Sequence, residues 1–219
     1  MRTPENLFSE QDRKRIADAV RDAEHRTSGE IVPFVVGRSD AYPEAWLRAG
    51  ALFALLALFT FALLDLGTDL WLPLGYAESG VIVILAFGLG ALLAATVPFF
   101  TRLFIPGSSL QQRVDERAAL AFIDEEVFST RDRTGILIFI SLFEHRVRIL
   151  GDTGINARVK QEEWDAVVTV LVDAIRNGAA AEGMLEAIWK CGELLERHGV
   201  EIRPDDTDEL DNRIRFSDR

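Results

Sequence analysis

A single cysteine, Cys191, leaves no intrachain disulfide to form, so packing and hydrogen bonds must hold the fold. Cys191 lies in a helical segment next to Trp189, the setting of a buried core thiol rather than a reactive one. Histidine is scarce too. His25, His145 and His198 are dispersed, and no His-x-x-x-His or Cys-x-x-Cys spacing occurs. His25 and His198 fall at helix ends, where the C-terminal dipole favours them as caps, and His145 falls in a tight turn. Basic charge is the minority: 24 Lys and Arg stand against 35 Asp and Glu, for a net charge of −11. No basic stripe is available to replace phosphate counterions, which excludes a nucleic-acid partner. It also excludes a general electrostatic grip on anionic lipid. A phosphate-cradling glycine loop is missing, because Gly151-Asp152-Thr153-Gly154 is too short and lacks the lysine. Met1 to Glu10 is polar with no apolar stretch, so no cleaved signal peptide is expected. No internal repeat is visible.

What the chain does have is long hydrophobic runs. Ser79 to Thr101 carries no charged side chain. At about 1.5 Å per residue, a helix of that length crosses a hydrocarbon core of roughly 30 Å. A second run, Ala49 to Leu64, lies upstream, and a short acidic segment with Trp71, Pro73, Gly75 and Tyr76 separates the two. The pattern predicts a membrane hairpin over residues 46–101, with spans at about 47–66 and 79–101. The competing reading is a pair of buried core helices, which a domain of this size can hardly cover on all sides. Arg38 and Arg48 precede the first span, Arg102 and Arg113 follow the second, and the loop carries Asp65, Asp69 and Glu78. The positive-inside tendency therefore puts both termini in the cytoplasm. Arg48 sits where its head can snorkel to the headgroups. Trp46, Trp71 and Tyr76 fall near the interfaces, and Gly88, Gly90, Ala91, Ala94 and Ala95 are expected to let the two helices approach closely.

The remaining segments read as a soluble domain. Ser9 to Arg26 is an amphipathic helix capped by Ser9, with Ile16, Ala19, Val20 and Ala23 inward. Glu30 to Gly37 is a strand whose Pro33 points to an edge position or a bulge. Ser109 with Gln112 fits a capping box for a helix running to about Val127. Gly135 to Leu142 is a nearly all-apolar strand, the pattern of one covered on both faces. Glu144-His145 turns into a second strand, Arg146 to Leu150, and Gly151 to Gly154 is a loop. Helices follow over Gln161 to Arg176 and about Ala179 to Arg197. From Gly199 the chain is polar, and 199–219 is expected to be a disordered acidic tail. The order helix, strand, hairpin, helix, strand, strand, helix, helix predicts a small α/β layered domain with a short mixed sheet, interrupted by the transmembrane pair. Its pieces are residues 1–45 and 102–198.

These residues carry a family resemblance. Thr27-Ser28-Gly29-Glu30-Ile31-Val32 resembles the start of the first strand of TPM domains. The stretch Glu116 to Leu150, with its helix, charged turn, apolar strand and Arg-alternating hairpin, is similar to the family's most distinctive part. Gly154-Ile155-Asn156-Ala157-Arg158-Val159, Trp164 and the helix around Gly183 to Leu195 also fit. The chain resembles a bacterial branch with an inserted transmembrane pair, which implies an integral protein of the bacterial inner membrane. The resemblance implies a compact α/β/α domain with a central sheet. It links the chain to acid phosphatase activity, divalent-cation binding, photosystem repair and accessory roles beside membrane proteins.

Sheet ends are the usual places for chemistry. Glu30 before the first strand, Asp132 before the second and Asp152 after the third are the candidate ligands of a hard cation, calcium or magnesium. If the first two strands are parallel and the third antiparallel to the second, all three acids share one sheet end. A cation there would polarise a phosphate ester and activate water. The plainer reading makes them turn and cap acids. Arg131, Arg133, Arg146 and Arg148 form either a phosphate-binding patch or surface pairs with Asp124, Glu125 and Glu126. Two functions follow. The preferred one is a non-catalytic accessory module, anchored in the bilayer by the hairpin and partnered with another membrane protein. The alternative is a divalent-cation-dependent acid phosphatase-like hydrolase.

Overall fold

A computed structural model of the chain describes residues 3–67, 75–200, 202 and 209–218. Two compact units emerge: residues up to Asp40 together with those from Gln111 onward, and Ala41–Leu110 between them.

The first unit is a mixed α/β domain. Helix α1 (Glu10–Glu24) begins in a capping box: Ser9 Oγ accepts the Asp12 N–H at 3.1 Å while Asp12 accepts the Ser9 N–H at 3.1 Å. Strand β1 (Ile31–Val36) follows. After the second unit come α5 (Gly107–Asp124, which enters this unit at Gln111), β2 (Ile136–Ser141) and β3 (Arg146–Gly151). Then follow a short helix α6 (Thr153–Asn156), α7 (Gln161–Arg176), α8 (Ala180–Arg197) and β4 (Arg215–Ser217). The sheet order is β3-β2-β1-β4. β1 pairs in parallel with β2 in the register Ile31 to Ile136, and β2 pairs antiparallel with β3 in the register Ile136 to Gly151.

Every residue of β1 and β2 is buried, as the unbroken apolar run of β2 predicts for a strand covered on both faces. Side chains alternate between two cores. Ile31, Val35, Ile136, Ile138 and Ile140 pack with Ile16 and Val20 of α1, Leu171 of α7, and Met184 and Ile188 of α8. Val32, Phe34, Val36, Leu137 and Phe139 pack with Val114, Ala118 and Ala121 of α5. The Phe34 and Phe139 rings stack at 5.9 Å. Cys191 is fully buried in the first core, and desolvation pushes its thiol pKa up to about 12.

Three sequence expectations change. First, the tail is not uniformly disordered: β4 pairs in parallel with β1, matching Phe34 to Arg215 and Val36 to Ser217, and Ile214 is buried. The apolar pair Ile214 and Phe216, among charged residues, is short enough to escape a periodicity search but long enough to pair. Residues 201 and 203–208 of that tail lie outside the described residues. Second, Pro33 marks neither an outer strand nor a bulge, because β1 is interior. Glu30 O accepts from Ile136 N and Val36 O from Leu142 N, so even-numbered residues of β1 address β2. Odd-numbered ones address the other side, where Ile31 N donates to Glu24 Oε1 and Gly37 N to Ser217 O. Pro33 therefore lacks its N–H on the side where β4, starting opposite Phe34, has not yet begun. Third, α5 starts at Gly107, and Leu110 N donates to Pro106 O at 3.1 Å, so Ser109 lies inside the helix and is not its cap.

The second unit holds α2 (Pro43–Gly67), α3 (Tyr76–Thr96) and α4 (Pro98–Leu103). α2 and α3 pack side by side. A Cβ on Gly90 would lie 2.6 Å from Ala49 O, and one on Gly50 would lie 2.8 Å from the Phe87 ring. Only glycine permits that approach. Gly90 and Ala94 face the partner helix as expected, whereas Gly88 faces outward with nothing near it. The uncharged run from Ser79 to Thr101 is two helices, not one span, because Pro98 cannot continue the hydrogen-bond ladder of α3. Asp69, Trp71 and Pro73 of the connecting loop lie outside the described residues.

The first unit carries a pH-sensitive clamp between α7 and α8. Glu163 accepts the Lys160 N–H at 3.1 Å, and its carboxylate lies 3.1 Å from His198 Nε2. The Lys160 N–H first, and His198 second, hold the Glu163 carboxyl below the usual range. A carboxyl with a depressed folded pKa adds stability above its unfolded value of about 4.3 and loses it as pH falls through the folded value. The thermal midpoint of the wild type should therefore exceed that of Glu163→Gln near neutrality, and the gap should close on acidification below the ordinary carboxylate range. A gap that widens in acid contradicts this account.

Candidate functional site

The topology brings the three predicted acids to one end of the sheet. Glu30 immediately precedes β1, Asp152 immediately follows β3, and both flank the register position shared by Ile31, Ile136 and Gly151. Asp132 lies in the turn leading to β2. Its carbonyl oxygen packs against Gly154, where a Cβ would approach it to 2.3 Å. Local hydrogen bonds build this corner: Asp152 N donates to Gly135 O at 2.8 Å, and Gly154 N to Arg133 O at 2.8 Å.

Asp152 and Glu30 have local roles of their own. Asp152 is buried and caps α6, with Oδ1 accepting the Thr153 N–H at 2.6 Å and Oδ2 lying 2.9 Å from Arg133 Nε. Glu30 is buried and its Oε1 accepts the Glu209 N–H at 3.1 Å, while Glu209 Oε2 accepts the Arg131 N–H at 3.1 Å. The carboxylates thus fasten the returning tail and the short helix to the sheet end. Among the described residues, no group of three or more His, Cys, Asp or Glu side chains is placed to hold a metal. With the Arg133 guanidinium already neutralising Asp152, the corner as arranged does not fit a hard cation, which needs several unshared anionic oxygens.

Two of the arginines pair with acids other than those the sequence suggested. Arg133 pairs with Asp152, and Arg148 pairs with Asp115 of α5. Glu125 pairs with Arg215 of β4 at 2.9 Å. Sequence proximity favoured Asp124, Glu125 and Glu126, whereas the sheet brings in partners from distant segments.

The opposite end of the sheet holds a polar cluster that sequence reasoning missed. At the carboxyl ends of β1 and β2, the Glu144 side chain is buried at 2 % exposure. Its Oε1 accepts the Ser39 N–H at 2.9 Å, and its Oε2 accepts the Ser141 hydroxyl. The Ser39 and Ser141 hydroxyl oxygens are 2.9 Å apart. Arg38 lies over the Phe143 ring, 4.7 Å from its centroid, and His145 completes the turn at φ 52°. Carboxyl ends of parallel strands are where ligands bind in open α/β sheets. A serine hydroxyl on a carboxylate is also the elementary nucleophile–base pair. Here, however, Ser141 is completely buried, so the pair fixes the β2–β3 turn and the segment after β1 to each other. The available signal was one serine ending an apolar strand with a glutamate three residues later.

Truncating Glu144 to alanine removes the acceptor of the part-buried Ser39 N–H and leaves the buried Ser141 hydroxyl only the Ser39 hydroxyl as partner. It should cost about 1–3 kcal/mol, the desolvation penalty of unsatisfied groups. Adding Ser141→Ala should cost less than the sum of the two single changes, because both remove one shared interaction. Thermal midpoints of the four proteins in detergent measure this; strict additivity contradicts it.

Comparison with known proteins agrees with this architecture. The family model described as TPM domain matches residues 104–194, covering α5, β2, β3, α7 and most of α8. Curated protein sequences gave no significant match. Among solved structures, the fold is similar to the NMR structure of BA42 protein from the psychrophilic bacteria Bizionia argentinensis sp. nov. The TM-score is 0.61 at 22% identity, covering 99% of this chain and 100% of that one. At that identity the likeness speaks for the fold alone. The sequence match falls on the helix, strand pair and helices that flank the sheet, so residues 104–194 are the part of this chain that matches a TPM domain.

Proposed function

We propose that this chain is a membrane-anchored accessory module. In this reading α2 and α3 form a transmembrane hairpin, the TPM domain faces the cytoplasm, and the protein acts by binding another membrane protein rather than by catalysis. The observation that carries the reading is the surface of the two helices. Pro43–Leu64 and Tyr76–Thr96 have mean hydropathies of 2.1 and 2.2, yet only 11% of the most apolar 18-residue stretch of each is buried. Leu55, Phe59, Ile84 and Leu85 are exposed. Core helices of a water-soluble domain would have to hide such side chains, whereas lipid-facing helices show them. The arginines at the outer ends of the pair, Arg48 and Arg102, and the acidic Glu78 at the inner end support the cytoplasmic orientation.

The non-catalytic part of the reading rests on how the polar residues are used. Asp152 is tied to Arg133 and Thr153, Glu144 to Ser39 and Ser141, and Glu30 to the Glu209 N–H, so the three buried carboxylates among the described residues serve as fasteners. Isolation of the full chain from membranes in several mild detergents should recover a stoichiometric membrane-protein partner and no phosphomonoesterase activity. Recovery of the bare protein would contradict the proposal. Hydrolysis of a generic phosphomonoester that Asp152→Asn or Glu30→Gln abolishes would also contradict it, in favour of a cation-dependent hydrolase.

A further inference from the structure

The break at Pro98 is built rather than merely tolerated. In α3 the carbonyl of Ala94 would receive the N–H of residue 98, and proline has none. The Thr101 hydroxyl supplies the missing donor, reaching Ala94 O at 2.6 Å and Val97 O at 3.2 Å. Thr101 is buried, so this repair takes place out of water, where an unsatisfied carbonyl would be expensive. The chain therefore leaves α3 at the extended Val97 with the Ala94 carbonyl still hydrogen-bonded, and forms the separate helix α4.

α4 has two unlike sides. Phe99 and Leu103 stand four residues apart on one face, beside Phe100, and Phe99 and Phe100 meet edge to face at 5.9 Å. Phe99 is 71% exposed and Leu103 65%. Thr101 points the other way, into α3. The α4 terminus is itself pinned, because Arg48 Nη1 at the beginning of α2 donates to Phe104 O at 2.8 Å. A charged head and an apolar aromatic face thus sit at one level, next to the exposed Leu92 of α3 and the exposed Val97 that joins α3 to α4.

We propose that α4 is an interfacial helix: it lies in the leaflet at the boundary of acyl chains and headgroups, with Phe99, Phe100 and Leu103 in lipid and Arg48 at the phosphates. The occupant of this face is lipid, because the face is next to the lipid-facing side of α3 and lies one turn beyond its end. The inference rests on the hairpin reading of α2 and α3. Its consequence is that the span ends at Thr96, and the next residues float in the leaflet rather than crossing it.

Spin labels on single introduced cysteines in the full chain test it. Cys191 is buried with a suppressed thiolate and does not compete for label. The chain carrying Phe99→Cys, Leu85→Cys or Leu120→Cys is placed in vesicles of phosphatidylethanolamine and phosphatidylglycerol. Collision with oxygen and with a water-soluble nickel chelate is then compared. Leu85 should be oxygen-rich and chelate-protected, Leu120 the reverse, and Phe99 intermediate at about 5–10 Å below the phosphates. A water-like Phe99 beside a lipid-like Leu85 overturns the interfacial helix and leaves the hairpin standing. A Phe99 as deep as Leu85 also overturns it, since α4 would then continue the span. A water-like Leu85 overturns the hairpin and this inference with it.

Discussion

Strand β1 is buried along its whole length, so every backbone donor and acceptor it carries needs a protein partner on both sides. That requirement organises the first unit. β2 satisfies one side in parallel register. The other side is assembled from pieces: the Glu24 side chain serves the Ile31 N–H, proline removes the donor at position 33, and the C-terminal strand takes Val35 and Gly37. The strand is completed by residues that lie far away in sequence, and the tail is held as firmly as its pairing demands. Glu30, Glu209 and Arg131 add a side-chain stitch where the tail returns to the sheet.

The same requirement appears in the second unit in a harsher form. The largely apolar helices α2 and α3 have one break in the helical ladder, at Pro98, and it is repaired by a side chain. Gly90 and Ala49 let α2 and α3 touch backbone to side, and Thr101 replaces the donor that Pro98 lacks. Both units thus depend on particular side chains standing in for missing backbone partners.

Most of the first unit was legible from periodicity. Ile16, Val20 and Ala23 of α1, Val114, Ala118 and Ala121 of α5, and the double-sided burial of Ile136–Ser141 follow from apolar spacing alone. The mixed sheet follows from the order of elements. β4 did not show, because a three-residue strand leaves no period to detect and its charged neighbours resemble a solvated tail. The division of the Ser79–Thr101 run was signalled by Pro98, but composition alone treats proline among apolar residues as part of the run. At the sheet ends, sequence order placed Glu30 and Asp152 together, since parallel and antiparallel pairing are set by connection length. Their partners were not legible. Arg133 and Glu209 reach them through the fold, and the Ser39–Ser141–Glu144 cluster joins residues separated by over a hundred positions.

The central claim is that the C-terminal strand is a working part of the sheet and completes β1. Amide hydrogen exchange on the intact chain tests it residue by residue. The amides of Val35 and Gly37, which address β4, should exchange as slowly as those of Ile138 and Ile140 in the sheet interior. Exchange at Val35 and Gly37 as fast as at exposed loop amides, with β2 still protected, would show β1 open on that side and contradict the account.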